Sequence, residues 1–249
     1  MMGPRVNDHP TEAPTPPDRR RLASALRDLA SRQSTVDETL QAAVDLCREL
    51  IPGCDIADIM LLQRRHITTP VSSDPRAIPL GRAHYETGEG PCLTAALEEK
   101  VVVAQDLCED GRWPRFAARA FEQGVVAVLS YQLFLNRSDG DRFGALNIYG
   151  TEPHTLDDDA IELGEVFAAH CAATLAAVIE QQGARAALQS RDLIGQAKGI
   201  LMERHRLSAD QAFQLLQRAS QEHNIKLRDL AEHVTTTGEL PGRPADAHN

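Results

Sequence analysis

Aromatic residues are scarce in this 249-residue sequence: Phe, Trp and Tyr together make up 4% of it, with a single Trp. That scarcity argues against a sheet surface that stacks nucleic-acid bases on exposed rings. No apolar stretch approaches the roughly 18 residues that a membrane span needs. The N-terminal MMGPRVNDHPTEAPTPPDRRR has no apolar run of the signal-peptide kind, so the expectation is a cytoplasmic protein. The five cysteines (Cys47, Cys54, Cys92, Cys108 and Cys171) are odd in number and include no CxxC pair. They read as reduced thiols in and around a core, with redox sensing or metal binding as the lesser alternative. Phosphate-cradling GxxxxGK[ST], HExxH and GxSxG strings are all missing. Glu98-Glu99 and Asp157-Asp158-Asp159 look like surface or capping acids, so the expectation is a protein that is not an enzyme.

What is present is an ordinary globular composition, 42% hydrophobic and 25% charged, with an uneven charge. The chain carries −10 overall; residues 183–249 hold nine Lys+Arg and eight Asp+Glu, a net of +1, which leaves −11 for residues 1–182. The asymmetry suggests two modules with different partners.

Residues 1–17, with five prolines, read as a disordered leader. Helices fit Asp18 to about Gln33 and Thr35 to Leu50. Ile56–Leu62 and His66–Ser72 read as a hairpin, 74–90 as irregular or briefly helical, and Pro91–Lys100 as a helix. A short strand at Val101–Ala104 and a helix at Trp113–Gln123 follow. Val125–Asn136 and Arg142–Tyr149, joined by Ser138-Asp139-Gly140-Asp141, form the clearest hairpin signal. From Thr155 onward the pattern is helical. Ala160, Leu163, Phe167, Cys171, Thr174 and Val178 recur at three- and four-residue steps, as a dimer seam or as a face packed on the sheet. Gly183 is a place where the helix would loosen. Three C-terminal helices follow. Ser208 with Gln211 forms a capping box opening the second, which buries Ala212, Phe213, Leu216 and Ala219; Leu227, Leu230, Ala231 and Val234 form the inward stripe of the third.

The C-terminal helices carry Arg185, Arg191, Lys198, Arg204, Arg206, Arg218, Lys226 and Arg228. Lys198 lies between small Ala197 and Gly199, which would let a phosphate backbone approach. Lys226 and Arg228 lie in the first turn of the last helix, where free amides favour an anion. The same charges also fit solvated helix faces partly paired with Glu203, Asp210, Glu222 and Asp229.

Residues 190–241, SRDLIGQAKGILMERHRLSADQAFQLLQRASQEHNIKLRDLAEHVTTTGELP, strongly resemble the ANTAR family of RNA-binding antitermination modules. Ile194, the block Ala197-Lys198-Gly199-Ile200-Leu201-Met202, Ala212-Phe213, Leu216, Ser220, Asn224, Lys226-Leu227 and Ala231 carry the resemblance. It implies binding to paired stem-loops in nascent RNA, so that a terminator hairpin cannot form. Carried onto this chain, it makes Lys198, Arg218, Asn224, Lys226 and Arg228 RNA-facing, with Ala197 and Gly199 allowing close approach. Many family members have Gly at the position of Arg206. Either the turn differs here, or Arg206 accepts a left-handed strain of about 1 kcal/mol and joins the RNA surface.

Residues from about 36 to 180 resemble a GAF domain, a sheet flanked by helices around a small-molecule pocket. Gly88-Glu89-Gly90-Pro91-Cys92, Val101-Val102-Val103 before Asp106, Trp113-Pro114-Arg115-Phe116 and Gly144-Ala145-Leu146-Asn147-Ile148-Tyr149 carry this likeness. Gly88, Gly90 and Cys92 are the candidate ligand-pocket residues, although Gly90-Pro91 also suits plain helix capping. Cys92, in the first turn of a helix, is a candidate for a lowered thiol pKa. His66 and His84 stand alone, a pattern that seldom holds haem or metal; no metal is assigned and the cofactor stays unknown.

The expected architecture is thus an α+β GAF-like domain with an antiparallel sheet at 18–182, a long connecting helix, and an all-α three-helix ANTAR-like bundle at 183–241, between the 1–17 leader and a 242–249 disordered tail. The expected function is a homodimeric RNA-binding antitermination regulator with a GAF-like input for an unidentified small molecule. A helix-turn-helix DNA-binding regulator and a sensor whose bundle binds protein partners remain the alternatives.

Overall fold

The computed structural model describes residues 19–31, 34–63, 66–98, 100–136 and 142–242. The expected leader 1–17, the Ser138-Asp139-Gly140-Asp141 turn and the tail beyond Gly242 lie outside these residues. Backbone contacts divide the chain into two compact units, Met1–Val178 and Ile179–Asn249.

The first unit opens with helices α1 (Arg19–Ser31) and α2 (Val36–Leu50). Thr35 caps α2 in a reciprocal box with Glu38, the Thr35 hydroxyl accepting from the Glu38 amide and the Glu38 carboxylate accepting from the Thr35 amide. Strands β1 (Ile56–Gln63) and β2 (His66–Ser72) form the expected hairpin. Helices α3 (Ala77–Thr87) and α4 (Pro91–Leu97), strand β3 (Val101–Ala104), helix α5 (Pro114–Glu122) and strands β4 (Ala127–Asn136) and β5 (Arg142–Gly150) complete it, together with the first part of α6 (Asp158–His205). The strands pair antiparallel in the order β2-β1-β5-β4-β3. Pro70 is tolerated because β2 is an edge strand and its register with β1 shifts beside it.

Helix α3 decides the expectation of irregular or briefly helical chain at 74–90 in favour of the helix. Pro79 and Gly81 suggest breaks, yet Pro79 falls in the first turn, where its missing N–H forfeits no hydrogen bond. Gly81 lets α3 approach β2 so closely that an added Cβ would strike Thr69 Oγ1. One face of the sheet packs with α3, α4 and α5 around Ile56, Leu80, Phe116, Val128 and Tyr149. The other face meets α2 and α6: the Tyr131 hydroxyl donates to the Ile161 carbonyl (2.9 Å), beside Gly164.

The stripe on α6 is therefore sheet-facing. Ala160, Phe167 and Cys171 have no exposed surface within a single chain, and Leu163 and Val178 are 8% exposed; the expected dimer seam is used for folding. That packing accounts for an 18-residue window in α6 of mean hydropathy 1.4, apolar and long enough by composition to cross a membrane, 39% of it buried. The sequence reading of no such stretch is corrected here. Gly183 does not interrupt the helix.

The second unit comprises the end of α6, α7 (Ala209–His223) and α8 (Leu227–Thr237). Its core is Ala197, Leu201, Ala212, Leu216, Ala219, Leu230, Ala231 and Val234. Phe213, expected inside, is only half-buried and lies outside that cluster. Ser208 and Gln211 form the expected capping box.

Candidate nucleic-acid interface and sensor core

In the helical bundle, both turns use a left-handed residue. Arg206 has φ 55° and Asn224 has φ 52°. After each, the next amide reaches back to a carbonyl of the preceding helix: Leu207 to Met202 (3.2 Å) and Ile225 to Ser220 (3.0 Å). These are Schellman closures, with Leu207 and Met202 packed on the core as the motif's apolar contact. The turn at Arg206 thus keeps the geometry that Gly would adopt, and Arg accepts the strain. Asn224, placed among the RNA-facing residues by resemblance, has a folding reason to be there, since Asn tolerates this conformation.

Ala197 is a correction. It sits in the core with no exposed surface, so the close approach it permits is between helices and not with a phosphate backbone. Gly199 is exposed with open space where a Cβ would be, and Lys198 beside it is half-buried at the edge of the core stripe. Arg206, Arg218, Lys226 and Arg228 are exposed. Lys226 is the N-cap of α8 and makes no side-chain cap; Arg228 is two residues further, in the first turn. Among the described residues, no ion pair with Glu203, Asp210, Glu222 or Asp229 of the kind expected is found. Among the described residues of the bundle the ion pair is Arg204 with Glu239 (3.0 Å), where Arg204 also donates to the Gly238 carbonyl and fastens the end of α6 to the end of α8. Arg218 turns its Nε to the Gln214 carbonyl (3.4 Å) and borders a groove with Leu240 and Pro241. Lys198, Arg206, Lys226 and Arg228 have no polar partner among the described residues. They do not form one cluster: Asn224, Lys226 and Arg228 share the α7–α8 turn, while Arg206 lies at the other end of α7, about 22 Å away at 1.5 Å per residue.

In the sheet unit, Gly88, Gly90 and Cys92 gather where α3 ends and α4 begins. Gly88 ends α3 in a left-handed turn (φ 66°), its amide donating to the His84 carbonyl (3.0 Å). The Glu89 carboxylate accepts from the amides of Arg115 (2.6 Å) and Phe116 (3.1 Å) and so caps α5. Burial opposes its charge, but these bonds and the Arg115 guanidinium hold its pKa below the usual carboxylate range. Gly90 has φ 134° and ψ 161°, a region open essentially to glycine. A Cβ there would lie 2.8 Å from His84 Nε2 and 3.1 Å from Phe116 Cδ2. Cys92 corrects the reactive-thiol expectation: it is fully buried, its Sγ 3.7 Å from Met60 Sδ. Burial, with the nearby Asp58 charge, pushes its thiol well above the ordinary value.

A buried polar group on the same sheet face escaped the sequence reading. Asp58, Asn147 and Ser130 stand opposite one another across β1, β5 and β4. Asn147 Nδ2 donates to Asp58 Oδ1 (2.7 Å), Tyr149 OH to Asp58 Oδ2 (3.1 Å) and Ser130 OH to Asn147 Oδ1 (2.8 Å). Burial pushes the Asp58 carboxyl up to about 7 against these stabilising bonds. The signal was available, since Asp58 alternates with Ile56 and Met60 on an otherwise apolar face. His84 is equally buried. Its Nδ1 meets the Leu80 carbonyl (2.9 Å), its Nε2 has no partner among the described residues, and its ring lies 4.2 Å from that of Phe116. Burial lowers its pKa to about 4. The described residues that could gather round a metal ion are Asp106, Glu109 and His154, mostly exposed and with their donor atoms within 4.8 Å of one another. His66 has no described side chain.

Residues 33–176 match the GAF domain family and residues 182–234 the ANTAR domain family. Among solved structures, the chain is similar to free methionine-R-sulfoxide reductase from Neisseria meningitidis, at 18% identity over 66% of this chain and 90% of that one, TM-score 0.52. It is similar to fRMsr of Staphylococcus aureus, at 18% identity over 65% and 97%, TM-score 0.51. It is also similar to bacteriophytochrome RpBphP3 from R. palustris, at 12% identity over 73% and 42%, TM-score 0.52. At these identities the likeness establishes the fold alone. No curated protein matches the sequence.

Proposed function

Because the chain belongs to the GAF-domain family, with an ANTAR domain following it, we propose that it is a homodimeric RNA-binding transcription antitermination regulator. In this reading the GAF unit takes a small-molecule signal and the bundle holds paired stem-loops in nascent RNA, in the cytoplasm. The observation that carries the RNA reading is the α8 N-terminus. Lys226 at the N-cap and Arg228 in the first turn are exposed, without polar partners among the described residues, and stand beside free backbone amides. Phosphate is the ligand class such a group suits, and Lys198 with exposed Gly199 adds a second contact point on α6. Three of the five thiols, Cys47, Cys92 and Cys171, are buried, and burial raises the pKa of each, which suits packing and not nucleophilic attack; Cys54 is half-buried and Cys108 exposed.

Binding of the full chain to a tandem stem-loop RNA across a salt series tests this, beside a Lys198→Ala/Lys226→Ala/Arg228→Ala variant and a duplex DNA competitor. The expected result is salt-sensitive RNA binding, with the slope of log K against log salt shallower by roughly 2–3 in the variant. Competition by duplex DNA at equal strength would favour a helix-turn-helix DNA regulator. Absence of salt-sensitive binding to either nucleic acid would favour a bundle that binds protein.

A further inference from the structure

Strands β3 and β5 both pair antiparallel with β4, so they run the same way and release their loops at one end of the sheet. The loop after β3 carries Asp106 and Glu109, and the loop after β5 carries His154. Backbone joins the two: the His154 amide donates to the Gln105 carbonyl (2.9 Å). Each loop is also held on its own side. The Leu107 amide donates to the Val126 carbonyl (2.8 Å) and the Asp110 amide to the Asp106 carbonyl (3.0 Å). Thr151, in the second loop, gives its amide (2.7 Å) and its hydroxyl (2.6 Å) to the Asp55 carboxylate.

The side chains supply donors of two kinds. One oxygen each of Asp106 and Glu109 and one ring nitrogen of His154 lie within 4.8 Å of one another. Two carboxylates alone would be ordinary surface charge. Here they stand beside an imidazole from another loop, and neither Glu109 nor His154 has a hydrogen bond or ion pair among the described residues. Asp106 spends one oxygen on the Cys108 amide (2.7 Å) and keeps the other. The residue before it adds an unmet acceptor: Gln105 Oε1 is shut off from water and has no partner among the described residues. A cation answers the paired carboxylates, and water bound to a cation is the kind of donor that Gln105 lacks. The nitrogen selects the cation. Calcium and magnesium take oxygen ligands, whereas one imidazole with two carboxylates suits zinc and its first-row neighbours. Zinc bonds of about 2.0–2.2 Å set tetrahedral donors about 3.4 Å apart, so closing from 4.8 Å asks for on the order of 1 Å of side-chain movement.

We propose that Asp106, Glu109 and His154 bind one divalent transition-metal ion, zinc first among them, which clamps the loop after β3 to the loop that leads into α6. The site is independent of the RNA reading and is tested without RNA. The full chain, stripped of metal with a chelator, is titrated with zinc chloride by calorimetry, and circular dichroism checks that each variant is folded. The expected result is one site per chain with a Kd of roughly 1–100 µM, little changed by about a hundredfold excess of magnesium or calcium. Asp106→Asn keeps an acceptor for the Cys108 amide, Glu109→Gln removes only the charge, and His154→Asn keeps a residue that tolerates the left-handed turn at φ 60°. Each should weaken zinc binding at least about tenfold. Saturating zinc should raise the thermal unfolding midpoint of the wild type and not that of His154→Asn. A wild type without saturable zinc binding overturns the proposal. So does binding that His154→Asn leaves unchanged, or that calcium displaces readily, since either is the behaviour of exposed acidic charge. Cobalt in place of zinc checks the donors: an intense thiolate-to-cobalt charge-transfer band would put the ion on a cysteine, Cys108 being the exposed one, and would also overturn it.

Discussion

Asp58 holds a carboxyl group away from water with no ion-pair partner among the described residues, only the Asn147 amide and the Tyr149 hydroxyl. Its folded pKa near 7 lies above the unfolded value of 3.8, so the fold favours the protonated form. That contribution is complete below about pH 4, falls as pH rises toward 7 and is gone above it. His84 works oppositely. Its folded pKa near 4 lies below the unfolded 6.5, so its contribution is present above pH 6.5 and is lost as pH falls toward 4. Asp58→Asn should therefore gain stability relative to wild type between pH 5 and pH 8, by on the order of 1–3 kcal/mol, in urea unfolding followed by fluorescence of Trp113. Parallel pH profiles for the two proteins would show that Asp58 does not titrate in this range. Arg206 offers a second test at this scale. Because it sits at φ 55°, Arg206→Gly should raise bundle stability by about 1 kcal/mol, whereas Arg206→Ala, which keeps the Cβ, should not.

At the scale of elements, the three bundle helices differ in how they begin. Helix α7 has its Ser208 box, whereas α8 starts at Lys226 with no cap and a positive charge at the positive end of its dipole. Lys226→Asp supplies both the cap and the favourable charge. It should stabilise the bundle by about 1 kcal/mol while weakening RNA binding, measured by thermal unfolding and by titration of the same stem-loop. A variant that gains stability and binds RNA as tightly as wild type would remove Lys226 from the RNA surface. Most elements were legible because their signals are local: Ser208 with Gln211, the apolar runs of β1 and β5, the stripe from Leu227 to Val234. Helix α3 was not, because Pro79 and Gly81 mark breaks in sequence and only their partners, a first turn and Thr69, make them harmless. The same limit applied to the sites. Ala197 reads as a small residue beside a Lys whether the space it leaves is taken by phosphate or by a neighbouring helix. Gly90 reads as pocket or cap, and its spacing does not reveal that a Cβ there would strike His84 and Phe116. Such neighbours are long-range, and no spacing along the chain encodes them.

At the scale of the whole molecule, the two units have cores of different quality. The sheet unit buries Phe116, Trp113 and Tyr149 among its aliphatics. The bundle core has four alanines in eight buried residues and no aromatic. Apolar area buried sets the scale of stabilisation, and a core in a unit of roughly 70 residues rarely yields more than about 3–5 kcal/mol. The bundle is therefore expected to unfold first. The single Trp makes this directly visible, because Trp113 belongs to the sheet unit and is 5% exposed there. In a urea titration, helical circular dichroism should lose an early phase that Trp fluorescence does not register. Leu216→Ala removes a fully buried side chain from the bundle core and should cost about 2–5 kcal/mol, enough to abolish that phase by unfolding the bundle in buffer while leaving the fluorescence midpoint in place. Coincident transitions by the two probes, or a fluorescence midpoint that moves with Leu216→Ala, would mean that the units fold as one. A GAF unit that stays folded while its bundle melts would place the weakest part of the chain at the proposed RNA-binding module, and there RNA binding to the folded bundle alone would raise the apparent stability by mass action.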